Sequence, residues 1–179
     1  EPQARAAGVN AFLSKPMFPS NLHRALREAA GHGKTPPTQA RRCGRYDFTG
    51  RRILLAEDNQ LNLEIAVALL ESAGAAVDQV SDGRAAVRVF VQSPPGTYDM
   101  ILLDVQMPVL DGHGAARAIR ACPRPDAARI PIFAMTANAF AEDVAAAKAA
   151  GMNEHVAKPI DAEALYALLD AYFRRDKEG

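Results

Sequence analysis

Five side chains in this sequence could act together. Glu57 and Asp58 stand side by side after a short apolar run, Asp104 closes the run MILLD, Thr136 closes IPIFAMT, and Lys158 precedes Pro159. Taken singly, each has a bland reading: solvated loop acids, a β-branched strand residue, a surface lysine. Brought together they describe a specific chemistry. Crowded carboxylates repel, so without a counter-ion one is driven toward its protonated form. A hard divalent cation relieves that repulsion, and a few carboxylates plus water suit Mg²⁺. A carboxylate beside such a cation can attack phosphorus and form an acyl phosphate. A lysine and a hydroxyl would then hold the remaining phosphoryl oxygens, so positioning and electrostatics carry the reaction.

Whether they meet depends on the elements that carry them. Short apolar runs at Arg52–Ala56, Ala76–Val80, Met100–Leu103, Ile130–Met135 and His155–Ala157 read as strands. Helical patterns separate them. Leu63, Ala66, Val67 and Leu70 follow the i, i+3, i+4, i+7 spacing, as do Leu165, Leu168, Leu169 and Tyr172. Ser81 or Asp82 would cap a second helix and Asp161 the last one. Near-continuous apolar strands such as MILL and IPIFAM suit a parallel sheet covered on both faces. Alternating strands and helices with short connections predict an α/β fold, a doubly wound five-stranded parallel sheet. In such sheets the site lies beyond the carboxyl ends of the strands, where the strand order reverses. All five residues fall at those ends.

The chain has 179 residues, one domain of about 150 and a remainder. Residues 31–50, GHGKTPPTQARRCGRYDFTG, read as a linker between residues 1–30 and a body over 51–173, with 174–179 as a tail. An internal repeat crosses that linker: Gly8-Val9-Asn10-Ala11-Phe12-Leu13-Ser14-Lys15-Pro16 aligns with Gly151-Met152-Asn153-Glu154-His155-Val156-Ala157-Lys158-Pro159. Leu22 and Leu26 fall on Leu165 and Leu169 in the same register. Two of the five lysines sit in this motif. Residues 1–30 therefore read as the last strand and helix of an upstream unit of the same kind, and Glu1 in place of Met reads as a piece of a longer chain. That partial copy has no acid pair, acceptor aspartate or threonine, and could not do the chemistry above.

Hydrophobic residues make up 49% and charged residues 23%, an ordinary globular balance. Lys+Arg and Asp+Glu both total 21, so any charge-based function must reside in a local cluster. Arg41, Arg42 and Arg45 read as part of a solvated tether, and nothing else favours nucleic acid. Cys43 and Cys122 read as unpaired thiols of a reducing compartment. His23, His32, His113 and His155 lack metal-ligand spacing. No apolar run approaches the ~20 residues of a membrane span.

The motifs ILLAEDNQLN, ILLDVQMPVLDG, PIFAMTANAF and GMNEHVAKPID, in this order over residues 51–173, resemble the receiver domain of two-component response regulators, the flavodoxin-like (βα)5 fold. AMTANA and NEHVAKPID are most similar to receivers attached to hybrid sensor histidine kinases of bacterial two-component and phosphorelay systems. The resemblance implies roles. Asp104 would be the phosphoacceptor. Asp58 and Asp104 would bind Mg²⁺ directly, Glu57 through water, and the backbone carbonyl of Gln106 would complete the shell. Lys158 would pair with the phosphoryl group and Thr136 would move toward it. His155 occupies the switch position, where the family often has Tyr or Phe. Gln106 and Asn138 stand where the family tunes phosphoryl lifetime. Beyond self-catalysed phosphorylation and dephosphorylation, no enzyme activity is implied for the isolated domain.

The implied partner is a histidine kinase dimerisation and phosphoacceptor domain or a histidine phosphotransfer protein, with a homodimer as a further expectation. The expected location is cytoplasmic, within a parent chain that could be membrane-anchored. Two rivals remain. A dehalogenase-type phosphatase needs a second acid two residues after its aspartate, where Gln106 cannot carry a proton. A receiver-fold interaction module without phosphotransfer is the second.

Overall fold

The computed structural model describes residues 46–137 and 141–175. Expectations for residues 1–30, for the linker as far as residue 45, for Asn138 and for residues 176–179 lie outside the described residues. Five strands, β1 (Arg52–Ala56), β2 (Ala76–Val80), β3 (Met100–Asp104), β4 (Ile132–Thr136) and β5 (Glu154–Ala157), alternate with five helices. These are α1 (Gln60–Ser72), α2 (Gly83–Gln92), α3 (Gly112–Arg120), α4 (Ala141–Ala149) and α5 (Ala162–Arg175). The sheet is parallel throughout, in the order β2-β1-β3-β4-β5, so the order reverses between β1 and β3.

Strand periodicity divides the interior into two cores. Ile53, Leu55, Leu102 and Phe133 face α1 and α5, where they meet Leu63, Leu70, Leu165 and Leu169. Leu54, Ile101, Leu103 and Ile132 face the other way, onto Phe90, Ile119 and Met152. The middle strands β3 and β4 are buried at every position, whereas β2, at the edge, is partly exposed.

Helix starts follow side-chain capping. Asn59 accepts from the N–H groups of Leu61 and Asn62, Asp82 from Ala85, Asp111 from Gly114 and Asp161 from Ala164. Asp82 and Asp161 are caps the pattern had pointed to; Asn59 and Asp111 are additional.

Two expectations need correction. The run read as a strand from Ile130 begins at Ile132. Pro131 has no N–H, and the Ile130 N–H turns back to the carbonyl of Asp126 (2.8 Å). Residues 46–50, read as the end of the linker, belong to the body. Tyr46 and Phe48 are buried against Tyr166 and Phe173, and the Phe48 N–H donates to the Ala73 carbonyl (2.7 Å). Two aromatics among polar residues have no periodicity, so the pattern gave them no partner.

Candidate functional site

The acid pair follows β1 directly. The Glu57 N–H donates to the Val80 carbonyl (3.1 Å), which extends the sheet pairing by one residue and turns its side chain inward, to 1% exposure. Asp58, next along, is exposed. Asp104 is the last residue of β3, and the Val105 N–H continues that strand's bonding to the Met135 carbonyl (3.0 Å). The loop then closes on itself, Gly112 donating to the carbonyl of Val105 (3.1 Å). A Cβ on Gly112 would lie 2.3 Å from the Asp104 carbonyl oxygen, so only glycine lets α3 begin there. Thr136, buried, ends β4, and its carbonyl accepts from the Lys158 N–H (2.8 Å), which fixes the lysine beside the strand end. Lys158 leads into Pro159 through a cis peptide bond.

Carboxylate oxygens of Glu57, Asp58 and Asp104 lie within 4.8 Å of one another. The Lys158 ammonium reaches into this cluster, 2.5 Å from Glu57 Oε2 and 2.8 Å from Asp104 Oδ2. Asp104 Oδ1 accepts from the Gln106 N–H (3.3 Å). Burial raises the Asp104 carboxyl above the usual carboxylate range; the Lys158 ammonium opposes that shift, Glu57 adds to it, and the Gln106 N–H opposes it. Three carboxylates facing one ammonium leave two negative charges uncompensated when all are ionised. The donor set, all hard oxygen, is what a small dication requires.

The expected residues therefore divide. Glu57, Asp58, Asp104 and Lys158 form one cluster, with Thr136 one backbone hydrogen bond away and Gln106 at its rim. His155 is not in it. It lies half-buried on β5, opposite Ala134, and lines a hollow between α4 and β5 with Val144, Lys148 and Met152. Two residues escaped the sequence reading: Asn59, whose N–H reaches Glu57 Oε1 (3.3 Å), and Asn62, whose Nδ2 reaches the same oxygen (3.2 Å). The motif EDNQLN held both, but asparagines after an acid pair read first as turn and cap formers.

Residues 53–170 match the family described as response regulator receiver domain. Among curated proteins, the signal transduction histidine-protein kinase BarA of Escherichia coli K12 is 34% identical over 165 residues, 92% of this chain and 17% of that protein. The sensor protein GacS of Pseudomonas syringae pv. syringae is 35% identical over 153 residues, 82% of this chain and 16% of that one. The chain thus spans about a sixth of the length of these relatives. Among solved structures, the receiver domain of sensor histidine kinase PA1611 from Pseudomonas aeruginosa, with a magnesium ion in its active-site cleft, is 42% identical. That match has a TM-score of 0.62 and covers 69% of this chain and 97% of that one. A chain in the co-crystal of the Saccharomyces cerevisiae phosphotransfer protein Ypd1 with the receiver domain of Ssk1 is 29% identical. It covers 64% and 83% of the two chains, with a TM-score of 0.57.

Proposed function

Because this chain belongs to the response regulator receiver domain family, we propose that Asp104 is the phosphoacceptor of a phosphorelay module, taking its phosphoryl group from a phosphohistidine. The observation that carries the reading is the Asp104 carboxylate, buried at the end of β3 and held 2.8 Å from the Lys158 ammonium within a cluster of three acids. An Asp104 oxygen attacks phosphorus, the P–N bond breaks, and the departing imidazole nitrogen keeps the electron pair and takes up a proton. Glu57, Asp58, Asp104 and the backbone carbonyl of Gln106 would hold Mg²⁺, which supplies neutralisation of the charge on the phosphoryl oxygens. The uncompensated charge and oxygen-only donors of this cluster fit that ion. Lys158 is already aimed at Asp104 Oδ2 and needs only to keep one oxygen's charge company as the new bond forms.

Thr136 would then close on the phosphoryl group, with His155 carrying the change toward α4 and β5. Gln106 and Asn138 would set the lifetime of the acyl phosphate. The donor would be a kinase phosphohistidine domain or a histidine phosphotransfer protein, in the cytoplasm. Among the described residues, three of the four exposed large apolar side chains support a donor approach at this edge. Leu61 and Ile65 lie on the first two turns of α1, and Val109 on the loop after Asp104. The repeat over Gly8–Pro16 supports a parent chain with a second receiver upstream, of which residues 1–30 would be the last strand and helix.

Intact mass tests the reading, after incubation with Mg²⁺ and acetyl phosphate. One phosphoryl group is expected on the wild type and none on Asp104→Asn or without Mg²⁺. No adduct, even from a phosphorylated histidine phosphotransfer protein, would overturn it in favour of an interaction module.

A further inference from the structure

Glu57 has two carboxylate oxygens in different circumstances. Among the described residues, Oε2 pairs with the Lys158 ammonium alone, at 2.5 Å. Oε1 accepts from two groups at the start of α1, the backbone N–H of Asn59 (3.3 Å) and the side-chain amide of Asn62 (3.2 Å). Asn59 is the N-cap of α1, and Asn62 is the third residue of the helix. A residue in that third position commonly turns its side chain back to accept from the cap's own N–H. Here Asn62 does not; Glu57 takes over as acceptor for the cap N–H, and the amide of Asn62 closes over the same oxygen. The acid is thereby stapled to the helix N-terminus, a place that also favours negative charge.

From this geometry we infer that Asn62 is a positioning residue for the cation site: by holding Oε1 of Glu57, it commits Oε2 to whatever cation occupies the cluster. The terminal torsion of a glutamate is broad and two-fold, so an untethered carboxylate exchanges its oxygens freely. With Oε1 engaged by two donors, Oε2 is the exchangeable oxygen. It carries the lysine in the metal-free state and faces the ion, or its bound water, in the loaded one. Outer partners of this kind orient ligands without touching the metal, and their loss typically weakens binding about ten- to a hundredfold. The inference rests on the proposed Mg²⁺ site and adds to it a residue outside the ligand set.

Calorimetric Mg²⁺ titration tests it as a double-mutant cycle, with thermal midpoints of the metal-free proteins recorded alongside. Asn62→Ala, and Asn62→Leu of more similar bulk, are expected to weaken Mg²⁺ binding about tenfold in the wild-type background. In a Glu57→Gln background the same changes are expected to cost nothing further, because Asn62 acts through that carboxylate. Gln60→Ala, two residues earlier in the same turn and bonded to Glu64 (2.9 Å), should bind as the wild type does. Unchanged binding in both Asn62 variants, or an equal loss in both backgrounds, would overturn the inference while leaving the metal site standing. A wild type that binds no Mg²⁺ would overturn both.

Discussion

At the scale of single residues, Lys158 is the internal counter-ion of the cluster. Its ammonium lies within ion-pair distance of both Glu57 and Asp104, where an arriving metal needs the same oxygens. Lys158→Met should therefore tighten Mg²⁺ binding several-fold in a titration, since a competing cation is gone, yet leave Asp104 unphosphorylated by acetyl phosphate. Loss of both properties together would show that the lysine helps to build the metal site. The five residues of the cluster and its border were legible because each is a polar group at the end of an apolar run. Asn62 was not: its role depends on which way a helix face turns, and sequence spacing alone did not separate an inward-turned amide from a capping one. His155 was legible as a strand residue, but its separation from the acid cluster is a matter of side-chain direction on β5.

At the scale of elements, the loop from Val105 to Gly112 shows how closely α3 is packed onto the acceptor strand. Gly112→Ala should destabilise the protein by about 2 kcal/mol or more in chemical denaturation, because its methyl group would strike the Asp104 carbonyl, a backbone atom with no room to yield. On the opposite edge, Arg124 ties the end of α2 to the segment after α3. Its guanidinium donates to the carbonyls of Phe90, Ser93 (2.9 Å) and Pro94 (3.2 Å) and pairs with Asp126 (2.8 Å). Hydrogen bonding from Arg124, with the Gly96 N–H, lowers the Asp126 carboxyl to about 2. A depressed folded-state value gives stability that is complete above the unfolded value near 4 and is lost as pH falls toward 2. Wild type should thus exceed Asp126→Asn in thermal stability at neutral pH, with the gap closing between about pH 4 and pH 2. A gap independent of pH would remove the ion pair as its cause. The strands β1 and β2 were readable to the residue, because a short apolar run between helical patterns is a local signal. The start of β4 was not, because a proline and a turn hydrogen bond to Asp126 decided it.

At the scale of the whole molecule, two cores on opposite faces of one sheet account for the fold, and the near-continuous apolar strands announced both. What those apolar runs could not announce was the segment that closes the α1–α5 side. Tyr46 packs at a tilt on Tyr166 and Phe48 meets Phe173 edge-on, the Arg51 guanidinium lies 4.7 Å over the Phe173 ring, and the Tyr46 hydroxyl donates to Glu163 (3.2 Å). Phe48 is 2% exposed, so Phe48→Ala should cost about 3–5 kcal/mol in an unfolding titration, as for a buried ring in any core. A cost below about 1 kcal/mol would mean that the segment merely rests on the surface.

That closing segment also separates two definitions of a module. The family likeness runs from residue 53 to residue 170, yet Tyr46, Phe48 and Phe173 complete the hydrophobic interior from outside both limits. The unit that recombination could move between proteins, and still have fold in its new host, is therefore longer than the unit that ancestry makes recognisable. A chimera joined at residue 53 would carry every residue of the acid cluster and leave part of its own wall behind. Grafts joined ahead of Tyr46 would bring that wall with them, and the few residues between the two junctions would decide whether an inherited site arrives in a body able to hold it.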